Sequence, residues 1–346
     1  MKETELLQSL EYLDDAYLLE AERAMNRKVH KSWHLGRRAA MLVAAVFVLV
    51  LTASAAYLAT HWDQVFLDRF APSEAVLNRT EHAVQEISAV SQCGGVTLRV
   101  HQTIGDETML YLNLDITLPD SVDLTPYLGT DPETGEVYNT GVMPDNLLIC
   151  TRPAHYEDLR TMDFEEAVAW FGPDGDTVSA VSTETTGYDP ETNTLSYLVS
   201  VTANDGSRFR GDVTLLVDSL VYYGDEDIDV LAEGPFVIGW RASNESEVYR
   251  FDLLQGDGKA GEVVLSAFGL RISLDESDYT DCMELAKQVE LVYADGTTTP
   301  PEGTCTGSLS LPSGSVSVEW QFDEIQLFDR IVEIHVGDYV CKLHTD

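Results

Sequence analysis

Basic residues are what this chain has least of. Lys and Arg total 21 against 59 Asp and Glu, for a formal net charge of -38. A surface of that sign repels phosphate, which excludes a general nucleic-acid binder. Cysteine is also scarce, with five residues: Cys93, Cys150, Cys282, Cys305 and Cys341. No two form a CxxC pair, so the usual zinc and redox spacings are missing. The number is odd, so at least one cysteine stays outside any pairing within the chain. Disulfides and buried thiols both remain open for the others. No HExxH pair exists, and the histidines beyond residue 60, His61, His82, His101, His155, His335 and His344, are scattered. Apolar residues are not scarce. They make up 44% of the chain and aromatics 9%, which excludes general disorder.

The acidic excess is not spread evenly. Residues 1–38 carry seven basic side chains (Lys2, Arg23, Arg27, Lys28, Lys31, Arg37, Arg38). They carry as many acidic ones (Glu3, Glu5, Glu11, Asp14, Asp15, Glu20, Glu22). The whole deficit of 38 therefore lies beyond position 38.

Between the two parts, residues 39–59 read AAMLVAAVFVLVLTASAAYLA, with no charge. A helix of that length rises about 30 Å, the thickness of a hydrocarbon core. The basic run Arg23 to Arg38 precedes it, with no acid after Arg23. Basic flanks stay cytoplasmic, so the expected topology is N-terminus inside and residues from about 60 onward outside. Trp33, Tyr57 and Trp62 suit the interfacial belts. A cleaved leader near Ala55 is the alternative, but its n-region and apolar stretch would both be unusually long.

Residues 1–38 read as a helical cytoplasmic stub. Leu6, Leu10, Leu13 and Tyr17 recur at helical spacing, and Leu7 and Leu18 widen the stripe. A stub this small cannot bury the stripe alone. A partner's groove, the inner membrane surface or an accidental pattern on an unstructured tail would each account for it. The residues expected to bind a partner are Leu6, Leu10, Leu13, Tyr17 and Leu18.

The outer region is expected to be mainly β, as two β-sandwich-like domains at 93–225 and 226–346, preceded by a stalk helix at 60–92. The stalk rests on Pro72 at a helix start and on Ala75, Val76, Ala83, Val84 and Ile87. Val96, Leu98 and Val100 then alternate with polar residues, and GVTLRVHQTI–GDE–TMLYLNLDITL predicts a hairpin. Residues 195–201 and 212–223 predict a second pair around Asn204-Asp205-Gly206. Residues 163–166 predict a short capped helix. Residues 226–234 read as acidic and weakly structured. Strands are expected beyond them at 236–242, 247–254, 261–268, 270–274, 289–293, 315–322 and 331–336, with a turn at Ala294-Asp295-Gly296.

Few residues offer chemistry. Gly303-Thr304-Cys305-Thr306-Gly307 matches a nucleophile elbow by letter, but prolines and strands surround it, so a loop is expected. Asp225, Asp227 and Asp229 alternate, yet position six is Val230 and position twelve Phe236, which fails the EF-hand pattern. No catalytic, cofactor or metal residue is assigned, and a non-enzymatic protein is expected.

A family resemblance rests on LLQSLEYLDDAYLLEA, a basic flank, one span and GGVTLRVHQTIGDETMLYLNLDI. Together they resemble the DUF4179-containing membrane proteins of Firmicutes. GPFVIGWRAS, VVLSAFGLRIS, VELVYADGT and FDRIVEIHVGDYV are similar to that family's C-terminal β domain. The resemblance implies an anti-sigma-factor-like envelope sensor or regulator. Its inner helix would hold a sigma factor of the extracytoplasmic-function class. No HxxxCxxC motif is present. The alternatives are an anchored binding or adhesive module with an inert tail, and an extracytoplasmic enzyme.

Overall fold

The computed structural model describes residues 61–135, 137–151, 178–203, 208–224, 227–256, 258–274, 279–309, 316–326 and 331–343. The stub, the apolar span and the expected helix at 163–166 lie outside the described residues. Among the described residues, no helix is long and apolar enough to cross a membrane. The chain divides into two compact units, Met1–Trp62 with Pro72–Glu81, and Asp63–Ala71 with His82–Asp346.

In the first unit, helix α2 (Glu74–Arg79) starts at Ser73, whose hydroxyl accepts the Val76 N–H. The second unit is mainly β. Helix α1 (Gln64–Phe70) opens it. Strand β1 (Val84–Cys93) comes next, then β2 (Val96–Gly105) and β3 (Met109–Thr117). The single stalk helix is thus replaced by two short helices and a strand. The physical reason is the period. Apolar residues over 84–93 serve a two-sided strand, and its partner β2 is the next strand in the chain.

The hairpin of β2 and β3 forms as its alternation predicts. Its corner is tight. Gly105 has φ +152°, and a Cβ there would run into the Met109 carbonyl oxygen. Asp106 accepts from the Thr108 N–H and hydroxyl and from the Met109 N–H. Burial pushes its carboxyl above the ordinary value.

The short strands β4 (Leu128–Thr130) and β5 (Val137–Asn139) pair with each other. Then come β6 (Val142–Asp145), β7 (Leu148–Cys150), β8 (Val178–Asp189), β9 (Thr194–Ala203), β10 (Gly211–Tyr223) and β11 (Ile228–Ala242). Strands order as β1-β2-β3-β9-β8 in a five-stranded sheet. A second sheet runs β11-β10-β6, with β7 also on β10. One hydrophobic core joins them: Leu110, Leu112, Leu114, Tyr197 and Val199 from the first, Leu215, Val217, Phe236 and Ile238 from the second.

Two expectations change here. Strands β9 and β10 do not pair; they lie in different sheets. Both are largely buried on both faces, so each is covered twice, and alternation cannot say by what. The stretch expected to be weakly structured is strand from Ile228 onward, paired along β10. The hairpin crosses the boundary expected at 225/226, and the shared core extends to Ala242.

The remaining strands are β12 (Val248–Gln255), β13 (Gly258–Ser266), β14 (Gly269–Leu274), β15 (Val289–Tyr293), β16 (Thr298–Thr299), β17 (Gly303–Leu309), β18 (Val316–Phe322), β19 (Ile331–Val336) and β20 (Val340–Leu343), with helix α3 (Tyr279–Ala286) before β15. A six-stranded sheet runs β17-β18-β14-β13-β12-β20, and a small one runs β16-β15-β19. The expected turn at Asp295 forms, with its carboxylate accepting from Thr297.

The five-stranded sheet is covered on its second face as well. Phe70 of α1 packs edge-on to Tyr111 at 5.0 Å and meets Phe268 at 6.1 Å. Ser200 donates to Gln321 Oε1 at 2.9 Å. This sheet therefore sits in the middle of the second unit, and α1 lies on it.

Candidate functional site

A cleft of about 690 Å³ opens on that second face. Strands β2, β3 and β9 form its floor, α1 one wall and β8 a rim. Two β-bulges border it. The pairing of β2 with β3 shifts between Val100 and Gln102, leaving His101 as the extra residue. The pairing of β8 with β9 shifts between Thr185 and Gly187, leaving Thr186 extra. Bulges re-aim side chains, and both extra residues line the cleft.

A polar row crosses the floor. His101 Nε2 lies 2.7 Å from Asp115 Oδ2, and Ser196 Oγ donates to Asp115 Oδ1 at 2.7 Å. These three residues stand on adjacent strands β2, β3 and β9. The wall is tied to the floor at the start of α1. The Asp63 N–H donates to Gln102 Oε1 at 2.8 Å, and Asn113 Nδ2 donates to Asp63 Oδ2 at 2.8 Å. Farther along α1, Arg69 reaches the Asp323 carbonyl and carboxylate.

Acids dominate the lining: Asp63, Asp68, Asp115 and Glu184, against Arg69 and His101. Arg69 is already paired with Asp323. The field in the cleft therefore favours polar or cationic groups over anions. The hydrogen bond that His101 donates to Asp115 raises the His101 pKa above 6.5, against the opposing effect of burial. Burial pushes Asp115 up, but hydrogen bonds from His101 and Ser196 outweigh it and hold the carboxyl below 3.8.

The row does not form a serine-hydrolase relay. Ser196 donates its hydrogen bond to the carboxylate rather than to the imidazole, so the histidine is not placed to activate it. The arrangement suits a charged, hydrogen-bonded floor.

The floor makes stability depend on pH. A His with a raised folded-state pKa contributes stability that is complete below 6.5 and fades as pH rises through the raised value. The Asp115 contribution is present above 3.8 and fades only as pH falls through its lowered value. His101→Gln should therefore lower the melting temperature at about pH 6, and the gap should close by about pH 9. Thermal scans at both values check it; a constant gap would show that the imidazolium adds nothing.

No family model matches the chain, and no curated protein matches it. One solved structure, a conserved domain protein from Bacillus anthracis, matches at 12% identity and a TM-score of 0.38. The match covers 73% of this chain and 76% of that one.

Leu6, Leu10, Leu13, Tyr17 and Leu18 all lie outside the described residues. The Gly303–Gly307 stretch is strand β17, not a loop, with Cys305 opposite Trp320 on β18. Burial pushes the Cys305 thiol up, and that of Cys341 to about 11, so neither is a ready nucleophile. Cys93, Cys150, Cys305 and Cys341 are all thiols. The cleft residues were missed as a group. His101, Asp115 and Ser196 are separated by up to 95 positions in the chain, and only strand order unites them.

Proposed function

We propose that this protein is a single-pass membrane-anchored envelope sensor and regulator of anti-sigma-factor-like type. Its N-terminus lies in the cytoplasm and its β-rich region, read as β-sandwich-like domains, lies outside. One observation supports this most. The apolar span ends at Ala59, and the chain enters α1 at Gln64, which is the wall of the cleft. A ligand touching Asp63 or Asp68 would shift the helix nearest the membrane along the chain. That is a short mechanical route from an outer site to an inner stub. The sequence supports the rest: the basic flank, the helical stripe and the resemblance to DUF4179-containing proteins.

The stub would hold a sigma factor of the extracytoplasmic-function class through Leu6, Leu10, Leu13, Tyr17 and Leu18. Co-expression of the full chain with such a sigma factor from the same genome tests this. Capture on the purified membrane protein is expected, and Leu10→Asp with Leu13→Asp should reduce it by about tenfold or more. Unchanged capture would remove the stripe as the binding face.

A further inference from the structure

Strand β11 ends its sheet, so one edge has no strand neighbour within it. That edge has two parts. Near its end, β1 side chains cover it: Ser91 Oγ accepts the Val237 N–H at 3.1 Å, and Gln85 bonds the Arg241 carbonyl and the Ser243 N–H. Over residues 228–233, among the described residues, β11 pairs only inward, with β10. Outward-pointing backbone N–H and C=O groups alternate over 228–230, and a bulge at Leu231 shifts the phase before Ala232 and Glu233.

The side chains on this stretch are unusual for a bare edge. Ile228 is 60% exposed and Val230 56% exposed. Tyr223, directly opposite Ile228, is 45% exposed. By strand alternation, Ile228 and Val230 share one face, while Asp227 and Asp229 share the other. Glu233 adds a further exposed acid. Strands β6 and β10 contain no Lys or Arg, and the first on β11 is Arg241, near its far end. Asp145 and Asp218 add to the same sign; Asp145 accepts from the Tyr223 hydroxyl at 2.5 Å. A second copy of this acidic chain would be repelled here, as would an anionic polymer.

We propose that residues 228–233 are a docking edge for an extended cationic peptide, which adds to the sheet as an outer strand. Backbone pairing sets the register. A strand alternating apolar and basic residues places its apolar side chains beside Ile228 and Val230. Its basic side chains then fall beside Asp227 and Asp229. Cross-strand neighbours of that kind are favourable on both faces. This surface is separate from the cleft, and the binding does not depend on what the cytoplasmic stub holds.

Fluorescence anisotropy of the full chain in uncharged detergent provides the test. The probe is a labelled octapeptide of alternating valine and lysine. It should bind. A peptide of the same composition with its valines and lysines in separate blocks should bind about tenfold more weakly, and an alternating valine–glutamate peptide should not bind. Ile228→Lys with Val230→Lys should weaken the alternating peptide by about tenfold with the unfolding midpoint unchanged. If that double change lowers the midpoint, Asp227→Lys with Asp229→Lys replaces it, with the same loss expected. Equal binding of the alternating and block peptides would reduce the effect to general charge attraction and overturn the proposal. So would wild-type affinity in the folded variant, or concentration-dependent dimers formed through this edge in place of peptide binding.

Discussion

Phe70→Ala should destabilise the second unit by about 4 kcal/mol, read as a shift in the urea midpoint of the full chain in detergent. Phe70 is only 3% exposed, and its ring meets both Tyr111 and Phe268 edge-on. Truncation forfeits the transfer energy of the ring and leaves a cavity between a sheet and a helix. The helix matters more than the number. The strands beneath α1 are long and doubly covered, but α1 itself has seven residues, far too few to persist without packing. Losing Phe70 should therefore free the wall of the cleft. Hydrogen exchange over Gln64–Phe70 should speed up well before the sheets open. Phe70→Leu keeps most of the volume and should cost about half as much. Unchanged exchange in Phe70→Ala would mean that Phe66 and the Asp63 bonds hold α1 alone.

Glu107→Ala should cost about 3 kcal/mol. The Glu107 side chain, at 9% exposure, lies 3.1 Å from Arg250 Nη2 and 3.0 Å from Arg210 Nε, with Arg208 Nη1 at 3.6 Å. The three arginines are not equal. Arg208 and Arg210 are mostly exposed, so water and salt screen them, and replacing either by alanine should change stability by no more than about 0.5 kcal/mol. Arg250 is three-quarters covered and also holds Glu262 at 2.9 Å. It links the hairpin corner of β2 and β3 to β12 and β13, so Arg250→Ala should cost about 2 kcal/mol. Equal losses from all three arginines would show that the cluster acts as a delocalised charge pair. A Glu107 loss near zero would show that the corner is held by Asp106 and its turn instead.

Individual strands were legible in the chain, and the way they associate was not. Val289–Tyr293, Leu270–Leu274 and the hairpin of β2 and β3 come from alternation and turn residues. The pairing of Leu195–Val201 does not. Leu195, Tyr197, Val199 and Val201 alternate there with Ser196, Leu198 and Ser200, which marks a strand but cannot choose between β10 and β3 as its partner. Residues 74–79 form α2 as their amphipathic spacing predicts, but from Val84 strand pairing with β2 overrides helical spacing. The acidic run before Gly234 looked unstructured because carboxylates are poor strand formers. Pairing along β10 supplies what propensity lacks.

The cleft shows the same limit at a single residue. Strict alternation puts Gln102 and Ile104 on the face of Leu98 and Val100. The bulge at His101 reverses this: Ile104 pairs with Tyr111, and Thr103 with Leu112. Alternation already puts His101 on the α1 side; the extra residue moves Gln102 there as well, and the two meet Asp115 and Asp63.

By itself the sequence determined the charge split, the uncharged apolar run at 39–59 with its basic flank and the β-rich character of the region beyond it. Each is a sum or a period over neighbouring residues, so each survives without coordinates. The tertiary structure alone decided which strands share a sheet, where α1 lies and that His101, Asp115 and Ser196 form one row. Those depend on a one-residue bulge and on contacts between distant parts of the chain. It also decided which edge of the acidic region has no strand neighbour among the described residues, because an edge exists only once the other strands have found theirs.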